Sequence, residues 1–343
     1  MTEMSKWYQK TGPEFDVVCS TRVRLARNLQ KYSFPEKANT KEKEEIKEDV
    51  KKTLMSASRL MSEQFEYVPL EKLSMEEAVS LVERHTVSPE FISNIQGKAV
   101  LLSKDEHISI MINEEDHIRI QVIQEGFSAK EAFETADRIE MLLGEHLEYA
   151  FNDKLGYLTQ CPTNLGTGLR VSYMLHLPAL AEYGLMSRMM VNLSKLGMTI
   201  RGTFGEGTDV VGSMYQLSNQ ITLGLSEAEA IENLSGIAMQ LISEERNKRA
   251  ILSENIAIQD KISRAAGVLK SAKILTNDEF MTLASYAKLG ISMGLIEGIR
   301  HEQLNTLITE TQPATLIATE KRKLTAQERD VLRAERVNNI FIT

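Results

Sequence analysis

The segment Asn113-Glu114-Glu115-Asp116-His117 interrupts two runs that alternate with the period of a β-strand, His107-Ile108-Ser109-Ile110-Met111-Ile112 before it and Ile118-Arg119-Ile120-Gln121-Val122-Ile123 after it. Such patterning predicts two half-buried strands joined by a tight connection, and so a sheet with one face in the core. Carboxylates crowded at the mouth of a sheet repel one another unless a cation sits among them. A charged turn accounts for the hairpin taken alone, and the rest of the chain has to decide.

At 343 residues the chain has room for about two domains. Its 40 Lys plus Arg against 48 Asp plus Glu give a formal charge of −8, which argues against broad nucleic-acid binding. Cys19 and Cys161 form no C-x-x-C pair, so neither a disulfide framework nor a zinc ribbon is indicated. No signal-peptide core is found at the start and no apolar run reaches the ~20 residues of a membrane span, so a cytoplasmic protein is expected.

Along the chain, Phe15 to Cys19 reads as a short strand leading into Ser20-Thr21-Arg22-Val23-Arg24, where Arg22 and Arg24 share a face in extended backbone. Paired guanidinium forks grip phosphate well, although an isolated R-x-R is commonly a solvated strand end. Helices are expected over Asn39–Glu63, Ser74–Arg84, Ser128–Tyr149, Leu180–Leu196 and Ser226–Leu252. Capping boxes are expected at Ser74/Glu77, Ser128/Glu131 and Ser226/Glu229. His85 follows the second of these helices as a candidate nucleotide contact. A strand then runs into the loop Cys161-Pro162-Thr163-Asn164-Leu165-Gly166-Thr167-Gly168, and another (Met198 to Arg201) into a Gly-rich loop carrying Glu206. Neither a Walker A loop nor G-x-G-x-x-G occurs, so a bound nucleotide would be held mainly by arginines.

Beyond about residue 253 the chain reads as helical throughout, which divides it into a mixed α+β catalytic domain (1–253) and an all-helical domain (254–343). Gly290-Ile291-Ser292-Met293-Gly294 fits G-x-S-x-G, but that motif requires a preceding strand and the preceding residues are helical. Tight packing at the glycines is the expectation there. Arg329 and Arg333 lie four apart on one helix face, which composition alone would read as a salt-bridged surface.

The mixed domain thus offers Arg22, Arg24, Arg119, Arg170 and Arg201 at strand ends, Glu115 and Glu206 in polar loops, and Cys161 beside Thr163 and Asn164. Converging arginines and two carboxylates suit phosphoryl transfer to a basic nitrogen. The arginines offset charge on the transferring group, and a carboxylate pair orients a guanidinium and removes its proton. The Cys19–Arg24, Asn113–His117, Cys161–Gly168 and Arg201–Thr203 segments resemble, in order, the signature segments of the phosphagen (guanidino) kinases.

That resemblance implies an antiparallel sheet flanked by helices, with ATP and Mg²⁺ as cofactors. It implies that Arg22, Arg24, Arg119, Arg170 and Arg201 hold the phosphates, with Ser20 and His85 also at the nucleotide. Glu115 would be the base, Glu206 the second carboxylate and Cys161 the reactive thiol, for which a packing role is the alternative. Met174 replaces a histidine usual near the adenine. With the Ser-Thr-Arg-Val-Arg segment at residue 20, the family's N-terminal helical domain is expected to be missing and a helical tail to be added. This arrangement resembles the bacterial branch that phosphorylates arginine side chains of proteins. In that branch an Arg-Asp-x-x-Arg-Ala motif, matched here by Arg329, Asp330, Arg333 and Ala334, binds phosphoarginine. The same resemblance implies a homodimer and arginine-containing substrates such as a heat-shock repressor. It also implies a zinc-binding activator protein and delivery of marked proteins to a Clp protease. A kinase of free arginine and a non-catalytic phosphoarginine-binding adaptor are the competing readings.

Overall fold

A computed structural model describes residues 5–202 and 211–342. Its centre is an eight-stranded antiparallel sheet. In chain order the strands are β1 (Val18–Arg27), β2 (Phe65–Pro69), β3 (Ala99–Ser103), β4 (Ile108–Ile112), β5 (Ile118–Glu125), β8 (Leu169–His176), β9 (Met198–Gly202) and β10 (Met214–Asn219). Across the sheet the order is β2-β3-β4-β5-β1-β8-β10-β9, and β6 (Phe151–Asn152) pairs separately with β7 (Gly156–Tyr157).

The two faces of this sheet differ because its strands alternate. In β5, Ile118, Ile120 and Val122 are fully buried while Arg119 and Gln121 point the other way. Val23 and Leu25 of β1, Val171 and Tyr173 of β8, and Leu217 of β10 join the same core. Helices α1 (Thr40–Ala57), α5 (Ala129–Gly144) and α8 (Glu227–Leu252) cover it through Val50, Ala136 and Leu234, all fully buried. Each large aliphatic side chain so buried contributes about 1.5–3 kcal/mol. A one-residue slip in β1 would exchange Val23 for Arg24, so the apolar face also fixes which way the arginines point. On the opposite face a smaller apolar cluster under α3 (Met75–Glu83) and α4 (Pro89–Ser93) covers β3 and β4. The central strands keep polar side chains there.

The remaining helices are α2 (Arg59–Gln64), α6 (Pro178–Glu182), α7 (Met186–Lys195), and a C-terminal set of α9 (Ile256–Ser271), α10 (Asn277–Ser292), α11 (His301–Glu310), α12 (Pro313–Glu320) and α13 (Ala326–Phe341). The C-terminal set has its own core around Phe280, Leu304 and Val337. It also seats on the sheet, with Lys288 Nζ donating to Cys19 Sγ at 3.1 Å, and His176 Nε2 and Ser285 Oγ 2.9 Å apart. At Gly290 an added Cβ would lie 2.5 Å from Ile262, so that glycine serves helix packing, as expected from its helical context.

Three local expectations are corrected. The helix over Asn39–Glu63 is two helices, α1 and α2, with Ser58 in extended conformation (φ −160°, ψ 161°) between them. The helix over Leu180–Leu196 is two helices, α6 and α7, broken at Gly184 with φ +67°. Ser128 makes no capping bond to α5: its backbone (φ −137°, ψ 47°) lies outside the extended conformation of a cap, and its hydroxyl is turned to donate to Glu125 O at 3.0 Å. The boxes at Ser74/Glu77 and Ser226/Glu229 form.

Candidate active site

The polar face gathers the arginines as the strand period requires. Arg22 and Arg24 on β1, Arg119 on β5, Arg170 on β8 and Arg201 on β9 line one cavity. Arg24 and Arg170 are cross-strand partners, a like-charge pairing that costs stability by itself. Arg22 Nη2 donates to Gln216 Oε1 at 2.6 Å, while Arg24 Nε is buried without an acceptor among the described residues. Burial, then the neighbouring Arg119 and Arg170, hold the Arg22 guanidinium down to about 10. Burial, then Arg22, Arg119 and Arg170, depress Arg24 further, and burial and Arg201 depress Arg170. Positive charges held together out of water call for a polyanion, and phosphate matches the guanidinium fork.

The acidic loop at the rim is sorted by its contacts. Residues 113–117 connect β4 to β5, with Asn113 at φ +61° and its side-chain amide donating to Lys43 O and Gly97 O. Asp116 is fully buried and accepts from Asn28 Nδ2 at 2.6 Å and Gln160 N at 2.7 Å. His117 accepts from Leu29 N and sits 2.9 Å from Ser33 O. Both are structural: they tie the hairpin to β1 and to the Cys161 loop. Arg119 then bridges the remaining acids, with Nη1 on Glu114 at 2.6 Å and Nη2 on Glu115 at 2.8 Å. Glu114 is 3% exposed and also accepts from Ser88 Oγ, whereas Glu115 is 39% exposed. Glu115 is therefore the carboxylate that a dissolved guanidinium can reach.

Cys161 faces the same rim. Its Sγ is 3.1 Å from Thr163 Oγ1, and it shares a small cavity with Glu115, Arg119, Arg170 and Asn164. Asn164 Nδ2 lies 3.4 Å from Glu115 Oε2. Thr222 Oγ1 pins the loop by donating to Thr163 O and Leu165 O at 2.9 and 2.7 Å. At Gly166 (φ +109°) a Cβ would meet Thr222 O at 2.3 Å, so the close approach excludes any side chain there. Glu206 lies outside the described residues.

His85, at φ +62° just past α3, lines both the arginine cavity and an adjoining one, where Ser20 and Met174 also stand. Burial, then Arg22, lowers its imidazole to about 4, so the ring is neutral near pH 7. Glu114 and Gln216 were not singled out in the sequence. Gln216 could have been found from its place between buried Tyr215 and Leu217 on β10. No signal separates Glu114 from Glu115 before the hairpin is folded.

The four residues at Arg329 to Ala334 do not act alike. Arg333 is 1% exposed, its Nε on Thr311 O and its Nη1 on Leu275 O and Asp330 Oδ1. Ala334 is fully buried, and Arg329 is half-buried without an ion pair among the described residues. Among the described residues no group of three or more metal-ligating side chains is arranged around one point. Glu90, Glu114 and Glu115 are the carboxylates lining the cavity, a sparse donor set that suits an ion carried in mainly by phosphates and water.

Residues 45–248 match the family model described as ATP:guanido phosphotransferase, C-terminal catalytic domain, and residues 255–342 match protein-arginine kinase McsB C-terminal domain. A protein-arginine kinase of Caldanaerobacter subterraneus subsp. tengcongensis is 43% identical over 325 residues, 94% of this chain and 96% of that protein. Another, from Halothermothrix orenii, is 42% identical over 97% of this chain and 95% of that protein. The chain belongs to the protein-arginine kinases of the ATP:guanido phosphotransferase family. Among solved structures, lombricine kinase superposes with a TM-score of 0.61 at 27% identity, over 72% of each chain. The expected fold, an antiparallel sheet flanked by helices with a helical C-terminal region, is the one found. The kinase transfers a phosphoryl group from ATP to a guanidino nitrogen. No helix among the described residues is long and apolar enough to cross a membrane.

Proposed function

We propose that Glu115 is the general base of a kinase that phosphorylates arginine side chains of proteins, with Arg22, Arg24, Arg119, Arg170 and Arg201 holding the ATP phosphates. The observation that carries this reading is the Arg119 bridge: a guanidinium already sits on Glu115 at 2.8 Å, in the contact an acceptor arginine would make. When phosphates enter, Arg119 turns to them and leaves Glu115 for the acceptor. The bond between the γ-phosphorus and the bridging oxygen of the departing ADP breaks, a P–N bond forms, and the guanidinium proton passes to Glu115. Mg²⁺, held mainly by phosphates and water with Glu114 as protein ligand, would offset charge on the transferring group. Glu206 is the second carboxylate in this reading, and Cys161 steadies the acceptor beside Asn164.

We place the catalytic unit at residues 1–253 and a helical unit at 254–343 that binds phosphoarginine, with Arg329 as its reaching guanidinium and Asp330, Arg333 and Ala334 as its frame. A net charge of −8 favours basic clients, such as a heat-shock repressor. A cytoplasmic homodimer, switched by a zinc-binding activator and feeding a Clp protease, completes the proposal.

Glu115→Gln should lower phosphoarginine formation on a basic protein by about 10²–10⁴-fold, while circular dichroism stays that of wild type. Unchanged phosphoarginine by mass spectrometry would remove Glu115 from the mechanism. Equal ATP consumption with free arginine and with the protein would favour the small-substrate reading.

A further inference from the structure

The arginine cavity does not end at the phosphates. Arg22, His85 and Gln216 form a shared wall, behind which lies a second cavity of opposite character. One side of it comes from the sheet, through Ile123, Met174 and Met214. The other comes from the C-terminal helices, through Met281 of α10, Ile308 of α11 and Gln312. A nucleotide has the same two-part chemistry: a polyanion joined to a flat, largely apolar ring. Its phosphates suit the arginine side and its ring suits the other.

One polar group in this second cavity is unmatched. Trp7 is 6% exposed, lines the cavity, and its indole Nε1 has no acceptor among the described residues. A buried donor without a partner costs about 1–3 kcal/mol, and the ring nitrogens of a purine would relieve that cost.

The helical wall is fixed in place by the sheet side. Glu83, at the end of α3 and two residues before His85, takes Ala314 N at 2.9 Å, Thr315 N at 2.7 Å and Thr315 Oγ1 at 2.8 Å. A carboxylate at a helix N-terminus meets both the free N–H groups and the positive end of the helix dipole. Tyr8, beside Trp7, donates to Glu310 of α11 at 3.2 Å. The N-terminal segment, the end of α3 and the α11–α12 corner therefore close on one space.

We propose that the C-terminal helical region is a wall of the nucleotide site. In this assignment the purine ring lies between Met174 and Ile308, and Trp7 Nε1 donates to a ring nitrogen. It rests on the kinase reading above for the phosphate end. The helical region then sets nucleotide affinity directly, in addition to anything it binds on its far side. The catalytic residues 1–253 alone would hold phosphates and lack half of the ring pocket.

The test compares ADP with inorganic tripolyphosphate on the full-length protein, by calorimetry. Ile308→Trp fills the ring cavity from the helical side and should weaken ADP at least tenfold while leaving tripolyphosphate unchanged. Trp7→Phe removes only the donor and should weaken ADP about 2–10-fold, the worth of one hydrogen bond, again sparing tripolyphosphate. ADP bound by Ile308→Trp as tightly as by wild type would overturn the proposal. Should Ile308→Trp lose both ligands through misfolding, Trp7→Phe decides: selective loss of ADP supports the assignment and unaltered ADP affinity overturns it. Wild-type protein that binds neither ligand would instead overturn the nucleotide reading.

Discussion

Arg27, Arg249 and Arg333 are each buried against a carboxylate and backbone carbonyls. Arg27 holds Glu140 at 2.9 Å with Ala26 O and Thr167 O, and Arg249 holds Glu245 at 2.7 Å with Asp16 O and His176 O. Arg22, Arg24 and Arg170 are half-buried on the cavity side of the sheet, and the charges that dominate their surroundings are other arginines. The first group is electrostatically complete and holds the fold together. The second is incomplete and poised for an anion that the described residues do not supply. A buried guanidinium thus reveals its role by what it faces: carbonyls and a carboxylate for structure, its own kind for binding.

Substitution should separate the two groups. Arg27→Met strands Glu140 in the core and should cost about 3–5 kcal/mol in denaturant unfolding. A loss below 1 kcal/mol would erase the distinction. Arg333→Met should cost less, about 3 kcal/mol, because Asp330 keeps 22% exposure and can return to water. Arg329→Met should leave stability untouched and weaken phosphoarginine binding. The reverse result would exchange their roles.

For the sheet arginines the sign inverts. Arg24→Met removes a repulsive centre, so the ligand-free protein should unfold at the same or higher denaturant concentration. Its ADP affinity should fall by about 10–150-fold, equivalent to the 1.5–3 kcal/mol of a hydrogen bond to a charged group. Destabilisation together with unchanged ADP binding would mean that Arg24 is structural after all.

The smallest effect concerns pH. His85 is held down to about 4 from an ordinary 6.5. Between those values the unfolded chain takes up a proton that the folded ring refuses. The stability contributed by the neutral ring is complete above about 6.5 and is lost as pH falls toward 4. His301, also lowered to about 4 by burial and then Lys288, acts in the same window. His85→Gln should make the loss of stability between pH 6.5 and 4 shallower. An unaltered slope would assign the loss to His301 and other groups.

Much of this was legible in one dimension. Alternation put Arg22 and Arg24 on one face of β1 and set Arg119 among the polar positions of β5, because a pleated strand offers only two directions. Ser-x-x-Glu pairs marked the starts of α3 and α8, since those capping bonds are local. Gly290 was legible as a packing residue from its helical context alone.

Other features depended on contacts between distant segments. Glu114 and Glu115 are neighbours with identical side chains. Ser88, the N-cap of α4, donates to the buried Glu114, and Glu115 is left within reach of a substrate. Arg329 and Arg333 look equivalent on a helical wheel until Thr311 and Leu275 claim the second. Local chemistry, acting over a few residues, determined the elements and the face each side chain takes. Only tertiary structure decided which charges are matched and which are left open, because burial and partners come from residues far away in the chain.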